Sequence, residues 1–344
     1  MDYQKRYATM ADVAKRAGTT AATVSYVLNG SKDRYISAEM RQRVEAAAKE
    51  LNYVKSSVAS SLKGKRKKII AVLVPQFENQ FFTQLVLSIE LIAMKYGYIL
   101  SICNTFDDPE QEAEIINRMQ ALRVDGYVIT PSRAGGQNTE QIRTIGVPMV
   151  IVDRTLDIED DYALVSSQNY ESVEQAAEYL VHHGHRRIAY IGWDMEFHGL
   201  ERRQKAFREV MQKHQISSDE YVRLNGPFNA ASGYAMTEKV LTENPEVTAI
   251  LYAYNIQAKG GVDCLKQFRK KPGRDISVII VGAPDWAQTG NNDFTCIELN
   301  GAAMGTKAAE LLFETLTKDR VPAEHRIVQP CSLVEGSSVT TVTE

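Results

Sequence analysis

The chain reads as an α/β protein, a small all-α head followed by a larger core of doubly wound parallel sheets. Three observations predict this. Residues 9–29 have the pattern of two short helices joined by a tight glycine turn. From residue 69 onward, apolar runs of strand length alternate with helical segments, the rhythm of parallel βαβ units. Charge is divided as well. Residues 1–68 carry 15 Lys/Arg and 6 Asp/Glu against 25 and 37 in the remainder, so nets of +9 and −12 lie inside an overall −3. A basic head on an acidic body suits a polyanionic partner at one end only. A length of 344 residues exceeds what one core usually holds, and 44% apolar content is enough to build two or three domains.

In the head, Thr9 is placed to cap the first helix and Asp12 to complete a capping box, while Val13, Ala14 and Ala17 share one face. Gly18 ends that helix. Thr20 caps a second one, in which Val24, Val27 and Leu28 pack inward and Ala21, Ala22, Ser25 and Tyr26 face out, before Asn29-Gly30 stops it. This is a helix-turn-helix, and a solvent-facing second helix of this size fits a DNA major groove. A third helix is expected from Ser37 to Asn52, followed by the basic run Lys63, Lys65, Arg66, Lys67 and Lys68.

In the core, a first series of segments runs 69–75, 81–96, 99–104, 110–122, 126–131 and 147–153. A second runs 173–183, 187–192, 201–214, 231–243, 249–253, 260–268 and 276–282, predicting a second doubly wound lobe. Ligands of such sheets lie at the carboxyl ends of the strands. No apolar run follows Met1-Asp-Tyr-Gln-Lys-Arg, and the stretch Ile69 to Val74 is far short of a membrane span, so a cytoplasmic protein with no membrane partner is expected. Cys103, Cys264, Cys296 and Cys331 are scattered without a CxxC pair and read as buried free thiols. GxGxxG, GxxxxGK[ST] and GxSxG are absent, so no catalytic residues and no cofactor are expected. His182, His183 and His185 lie in HHGHRRIAYI, which reads as a helix end, a glycine cap and a strand start rather than a metal site.

The segments DVAKRAG and TVSYVLNG resemble the amino-terminal signature of the LacI/GalR (Lac repressor) family of bacterial transcription regulators. The resemblance continues through Val58-Ala-Ser-Ser-Leu62-Lys-Gly64, similar to the family's hinge helix, and on to about Val334. It implies a helix-turn-helix headpiece over 1–55 and a hinge helix and basic linker over 56–68. Residues 69–344 would form a two-lobed, periplasmic-binding-protein-like core for effector binding and dimerisation. Lobe 1 would comprise about 69–164 and 300–325, and lobe 2 about 165–299 and 326–344, with crossings near Val165, Leu299 and Arg326.

By the same resemblance, Ala21, Ala22 and Tyr26 read bases, and Thr9, Thr20, Thr23, Ser25 and Asn29 hold phosphates or support the groove contact. Tyr26 stands where many members carry arginine, which predicts fewer direct hydrogen bonds per half-site. Leu62 matches the family's minor-groove wedge, with Val58 and Lys63 beside it on the hinge. The implied partners are a palindromic double-stranded operator and a second copy of the chain. The helices at 81–96 and 301–318 are expected to supply the dimer interface, and the polar tail after Val334 carries no tetramer module.

The family's ligand positions match Phe81 and Phe82 in ENQFF, Asp153-Arg154, Arg203 in an Arg-x-x-Ala-Phe segment, and Phe228 in GPFNAASG. Trp193 and Trp286 fall at strand ends and can line the same cleft. Two departures stand out: Tyr254-Asn255 where Asn-Asp is common, and Gly282-Ala-Pro-Asp285 where Gly-Phe-Asp-Asp is frequent, so Asn255 and Asp285 are the polar candidates there. The implied function is repression of a carbohydrate-utilisation operon, relieved or reinforced by a sugar or sugar derivative bound between the lobes. The alternative is a regulator that needs a corepressor, a purine or a phosphorylated carrier protein. A secreted solute-binding protein would carry a signal segment and no helix-turn-helix, and a nucleotide-using enzyme would carry one of the missing motifs.

Overall fold

The computed structural model describes residues 7–29, 35–54, 66–132, 136–156, 162–194, 201–288 and 293–342. The chain divides into two compact units, Met1–Lys67 and Lys68–Glu344.

The first unit holds helices α1 (Met10–Ala17), α2 (Ala21–Leu28) and α3 (Ala38–Glu50). Thr9 and Asp12 form the reciprocal capping box of α1, and the Thr20 hydroxyl accepts from the Thr23 backbone to cap α2. Gly18 is favoured chiefly by its backbone, and secondarily by the movable end of a side chain beside it. Its φ is +65°, and a Cβ there would lie 2.6 Å from Nη2 of Arg43. That same guanidinium donates to the Ala17 carbonyl at 2.6 Å and so closes the end of α1. Val13, Ala14, Ala17, Val24, Val27, Val44 and Ala47 make a small core under the three helices.

The second unit contains two lobes, each a six-stranded sheet with helices on both faces. The first sheet has the order β11-β5-β4-β3-β1-β2. Its strands are β1 (Ile69–Val74), β2 (Ile99–Asn104), β3 (Gly126–Ile129), β4 (Met149–Asp153), β5 (Ala163–Ser167) and β11 (Arg326–Gln329). Helices α4 (Gln80–Lys95), α5 (Pro109–Leu122), α6 (Gly136–Thr144) and α11 (Gly301–Lys318) belong to this lobe. The second sheet has the order β12-β10-β9-β8-β6-β7. It comprises β6 (Ile188–Trp193), β7 (Val222–Gly226), β8 (Ala249–Tyr252), β9 (Ser277–Val281), β10 (Thr295–Leu299) and β12 (Cys331–Val334). Helices α7 (Asn169–His182), α8 (Glu201–Lys213), α9 (Ala230–Glu243) and α10 (Asn255–Gln267) cover it. Both sheets are parallel except that β12 runs antiparallel to β10. Central strands such as β1, β3 and β9 are buried on both faces, which is why they read as unbroken apolar runs.

The lobe boundaries differ from the expected ones. β5 and β11 pair with each other over Leu164↔Arg326 to Ser167↔Gln329, so both belong whole to the first sheet. The crossings therefore lie at Gln168, Asn300 and Pro330 rather than at 165, 299 and 326. Short strands β5, β7, β10, β11 and β12 and helix α6 had no counterpart among the expected segments. α10 begins at Asn255, five residues before the expected helix, because its polar first turns are buried: Gln257 is fully enclosed.

The end of the described chain straps the second lobe. Ser338 accepts from the Thr295 backbone at 2.8 Å and donates to the Val278 carbonyl at 2.6 Å. His185, buried, bridges the Thr248 hydroxyl at 2.8 Å and the Thr340 carbonyl at 3.0 Å. All four cysteines are free, and Cys264 and Cys296 are buried as expected, whereas Cys103 and Cys331, on the outer strands β2 and β12, are only partly covered. Among the described residues, no group of three His, Cys, Asp or Glu is placed to hold a metal, and no helix is long and apolar enough to cross a membrane.

Candidate functional site

On α2, Ala21 and Ala22 are exposed, as are Thr9, Thr20 and Asn29 nearby in the sequence, while Thr23, Ser25 and Tyr26 are half-buried. Local bonds account for part of this. The Thr20 and Thr23 hydroxyls lie 3.0 Å apart, and Asn29 donates to the Ser25 hydroxyl at 3.1 Å. Leu28, expected inside, is only partly covered. Val58, Leu62 and Lys63 lie outside the described residues.

The second unit contains a cleft between its lobes, built from the carboxyl ends of strands in both sheets. It encloses about 660 Å³ of empty space, part of it open to solvent. The turn after β1 and the start of α4 bring Asn79, Gln80, Phe81 and Phe82 to it, and β4 ends on Asp153 and Arg154. From the second lobe come Trp193 at the end of β6, Arg203 on α8, Phe228 before α9, and Tyr254 and Asn255 after β8. Eight of the nine residues assigned to an effector from sequence thus share one cavity. Asp285 is not among the lining residues. It opens a short 3-10 turn (Asp285–Ala287), remains exposed, and donates its backbone N–H to the Gln80 side chain at 2.7 Å. Trp286 packs on Phe294 in the second lobe instead.

Two arginines and one carboxylate dominate the electrostatics. Buried Arg154 is committed to Asp107 and to the Pro131 carbonyl at 2.9 Å, and its guanidinium carbon lies 5.1 Å from the centre of the Trp193 ring. Arg203, also buried, donates from Nε to Asn169 at 2.9 Å and from Nη1 to the Ala253 carbonyl at 2.5 Å, with its guanidinium over the Tyr254 ring. Its Nη2 makes no hydrogen bond among the described residues. Asp153 stands at φ +67°, a conformation uncommon outside glycine, and no described residue hydrogen-bonds its carboxylate. Burial pushes its pKa up from 3.8, while Arg154 and Arg203 pull it down.

Aromatic rings, tilted or edge-on to one another, supply an apolar wall. Trp193 lies 4.8 Å from Phe228 and 6.0 Å from Tyr254, and Phe228 meets Tyr254 edge-on at 5.2 Å. Phe81 and Phe82 meet edge-on at 5.1 Å on the opposite lobe, with Phe82 buried in that lobe's core. Asn255 reaches across to Asn79 at 3.0 Å. Sequence reasoning passed over Asn79, Gln80 and Tyr254 as site residues. The signal for the first two was their place directly before Phe81-Phe82, where a strand gives way to a helix start. It also missed Gln257, whose amide donates to the carbonyls of Gly192, Gly226 and Pro227 at 2.9–3.2 Å and so fixes the loops that carry Trp193 and Phe228.

Known proteins match both units. Residues 9–56 match the family "Bacterial regulatory proteins, lacI family", and residues 177–339 match a periplasmic binding protein-like domain. The chain is 30% identical over 333 residues to the HTH-type transcriptional repressor PurR of Klebsiella pneumoniae, covering 96% of this chain and 97% of that protein. It is 32% identical over 271 residues to the ribose operon repressor of Halalkalibacterium halodurans, covering 79% of each. In fold it is similar to a Lac repressor dimer bound to operator, with a TM-score of 0.80 at 24% identity over 97% of this chain and all of that one. A regulator from Silicibacter pomeroyi gives 0.82 at 24% identity, covering 97% of this chain and 99% of that one. The chain belongs to the lacI family of bacterial regulatory proteins.

Proposed function

We propose that this protein is a sequence-specific transcriptional repressor whose operator affinity is set by a neutral sugar or sugar derivative held between the lobes. One observation carries the effector class. Asp153, without a hydrogen-bond partner, shares the cleft with an uncommitted Arg203 Nη2 and a wall of aromatic rings. Vicinal hydroxyls donate to the carboxylate and accept from the guanidinium, and a sugar ring lays its C–H face on an aromatic. The two charges balance, and Arg154 is already neutralised by Asp107, so no net positive field remains to favour a phosphate. Similarity to a ribose operon repressor supports the same class. A purine is the second reading, because Trp193 and Phe228 offer a surface on which a flat base also stacks.

On DNA, Ala21, Ala22 and Tyr26 face base edges and Thr9, Thr20, Thr23, Ser25 and Asn29 serve phosphates, with Val58, Leu62 and Lys63 on the hinge of a 1–55 head and 56–68 linker. A palindromic operator requires two heads, so the protein acts as a homodimer. Support for the interface comes from α4, where Leu87, Leu91 and Met94 recur on one exposed face, beside exposed Ile99 and Ile102 on edge strand β2. On α11 the apolar face is turned inward, so its share of the interface would come from the exposed polar face around Lys307 and Glu310. Met304, Ala308, Leu311, Leu312, Phe313 and Leu316 are buried inside the lobe, and Gly305 lies so close to α4 that a Cβ would stand 2.2 Å from the Leu85 carbonyl. The role is regulatory rather than catalytic, and the compartment is the cytoplasm, where the DNA is. Ligand and operator act on each other by linkage: a ligand that favours one lobe arrangement shifts the DNA-competent population.

A thermal-shift screen against sugars, sugar phosphates, nucleosides and purines tests the reading, because a ligand specific to the folded state raises its melting temperature. A hit confined to neutral sugars is expected. A hit confined to purines or nucleosides replaces the effector class, and operator titration with the hit then gives the sign of the response.

A further inference from the structure

Beside the proposed effector cavity lies a second, lined mostly by residues not assigned to the effector. It is lined by Gln76, Glu78, Phe106, Asp107, Asn229 and Ile256, and it shares Arg154 and Phe228 with the first. Its cavity volume is about 340 Å³, at the lower end of the roughly 300–1,000 Å³ of small-molecule sites.

Phe106 is 72% exposed, and both it and Asp107 stand in the left-handed backbone region, at φ +54° and +58°. Two successive non-glycine residues there are uncommon and costly. The Arg154 guanidinium holds the second of them by its carboxylate, so the loop presents an apolar ring at a cavity wall instead of burying it. The polar groups around it are uncommitted. Gln76 Nε2 is buried with no hydrogen-bond partner among the described residues. Glu78 is exposed and makes no ion pair or hydrogen bond there. Asn229 uses its carbonyl oxygen to cap α9, accepting from Ser232 at 2.8 Å, which leaves its amide free to donate.

Rings for stacking, two amide donors and one carboxylate acceptor suit a polyhydroxylated ring. We propose that the effector is a two-ring glycoside, with one ring beside Asp153 and Arg203 and the second in the Phe106 chamber, its linkage passing Arg154 and Phe228. The inference rests on the reading of the cleft as a sugar site and specifies its ligand. Glu78 is an uncompensated charge in the second chamber, so a hydroxyl-bearing ring is favoured there over a phosphate.

Calorimetric titration of the full-length protein with pentoses, hexoses and the disaccharides built from them, repeated on Phe106→Ala and Glu78→Gln, tests this. The expected result is a disaccharide that binds at least about tenfold tighter than either of its component sugars. Each substitution should weaken that disaccharide by about tenfold and leave the monosaccharides unchanged, the size expected for losing one ring contact or one charged hydrogen bond. A monosaccharide that binds as tightly as every disaccharide containing it overturns the inference while keeping the sugar reading. So does a disaccharide indifferent to Phe106→Ala. If no carbohydrate of either size binds and a purine does, the sugar reading falls and takes the inference with it.

Discussion

A carboxylate partly withdrawn from water without a hydrogen-bond partner destabilises the protein that carries it, and Asp153, half-buried at the cleft wall, is such a group. Its pKa in the folded chain lies above the unfolded value of 3.8, so the folded state holds the proton longer. Stability contributed by the protonated form is therefore complete below 3.8 and is lost as pH rises through the folded value. Asp153→Asn should raise the melting temperature at neutral pH while weakening the effector more than about tenfold, the cost of removing a charged hydrogen bond. Differential scanning calorimetry beside ligand titration reads both, and a variant that loses stability and keeps its affinity contradicts the assignment. Arg203→Ala is a poorer probe, because it also strips the Asn169 and Ala253 acceptors of their donor. Phe81, Asp153, Arg203 and Phe228 were legible in the sequence because each sits in a short segment with its own pattern. Tyr254 and Gln257 were not, since their roles depend on what the fold packs against them: the Arg203 guanidinium over one ring, and three carbonyls on the amide of the other.

Among the elements, α1 and α2 were readable almost to the residue, because their caps are local chemistry: Thr9 with Asp12, Thr20 with Thr23, and a left-handed Gly18. Gly18→Ala combines a φ of +65° with a contact on the Arg43 guanidinium. It should cost at least about 1 kcal/mol. The loss is measured as faster amide exchange in α1 and α3 and as weaker operator binding, with effector affinity unchanged. Strands β7, β11 and β12 escaped the sequence because they are short and half-exposed, and β11 also pairs with a strand from a distant part of the chain. The tail strap was equally silent, since Ser338 and Thr340 look like any polar terminus. Burial lowers the pKa of His185 below its usual 6.5, opposed by its bond to the Thr340 carbonyl and aided by His183. The unfolded chain therefore takes up the proton first. The stability this group supports is complete above 6.5 and is lost as pH falls through 6.5 and then the folded value. Thermal unfolding at stepped pH should show that decline, and His185→Asn should flatten it.

For the whole molecule, the division of charge keeps the two functions apart: a head of net +9 is drawn to DNA while a body of net −12 is repelled from it. Leu91→Asp places a charge in the centre of the exposed α4 face and should convert the dimer to monomer in sedimentation. Operator affinity should then fall by on the order of a hundredfold or more, since a single head loses the second half-site, while effector binding per chain persists. The three lobe crossings lie side by side. Gln168 donates its backbone N–H to the Gln329 carbonyl, its side chain accepts from the Cys331 N–H at 3.2 Å, and Leu299 pairs with Cys331 across β10 and β12. Pro330, alone between two strands of different sheets, has no φ to turn. The chain thus passes between the lobes along one narrow seam, while the Asn255–Asn79 and Asp285–Gln80 bonds tie the lobes again across the cleft. A torsional change at Gln168 or Asn300 would be magnified with distance from that seam, so a ligand that made or broke the two cross-cleft bonds would shift the balance between lobe arrangements at the mouth of the cleft.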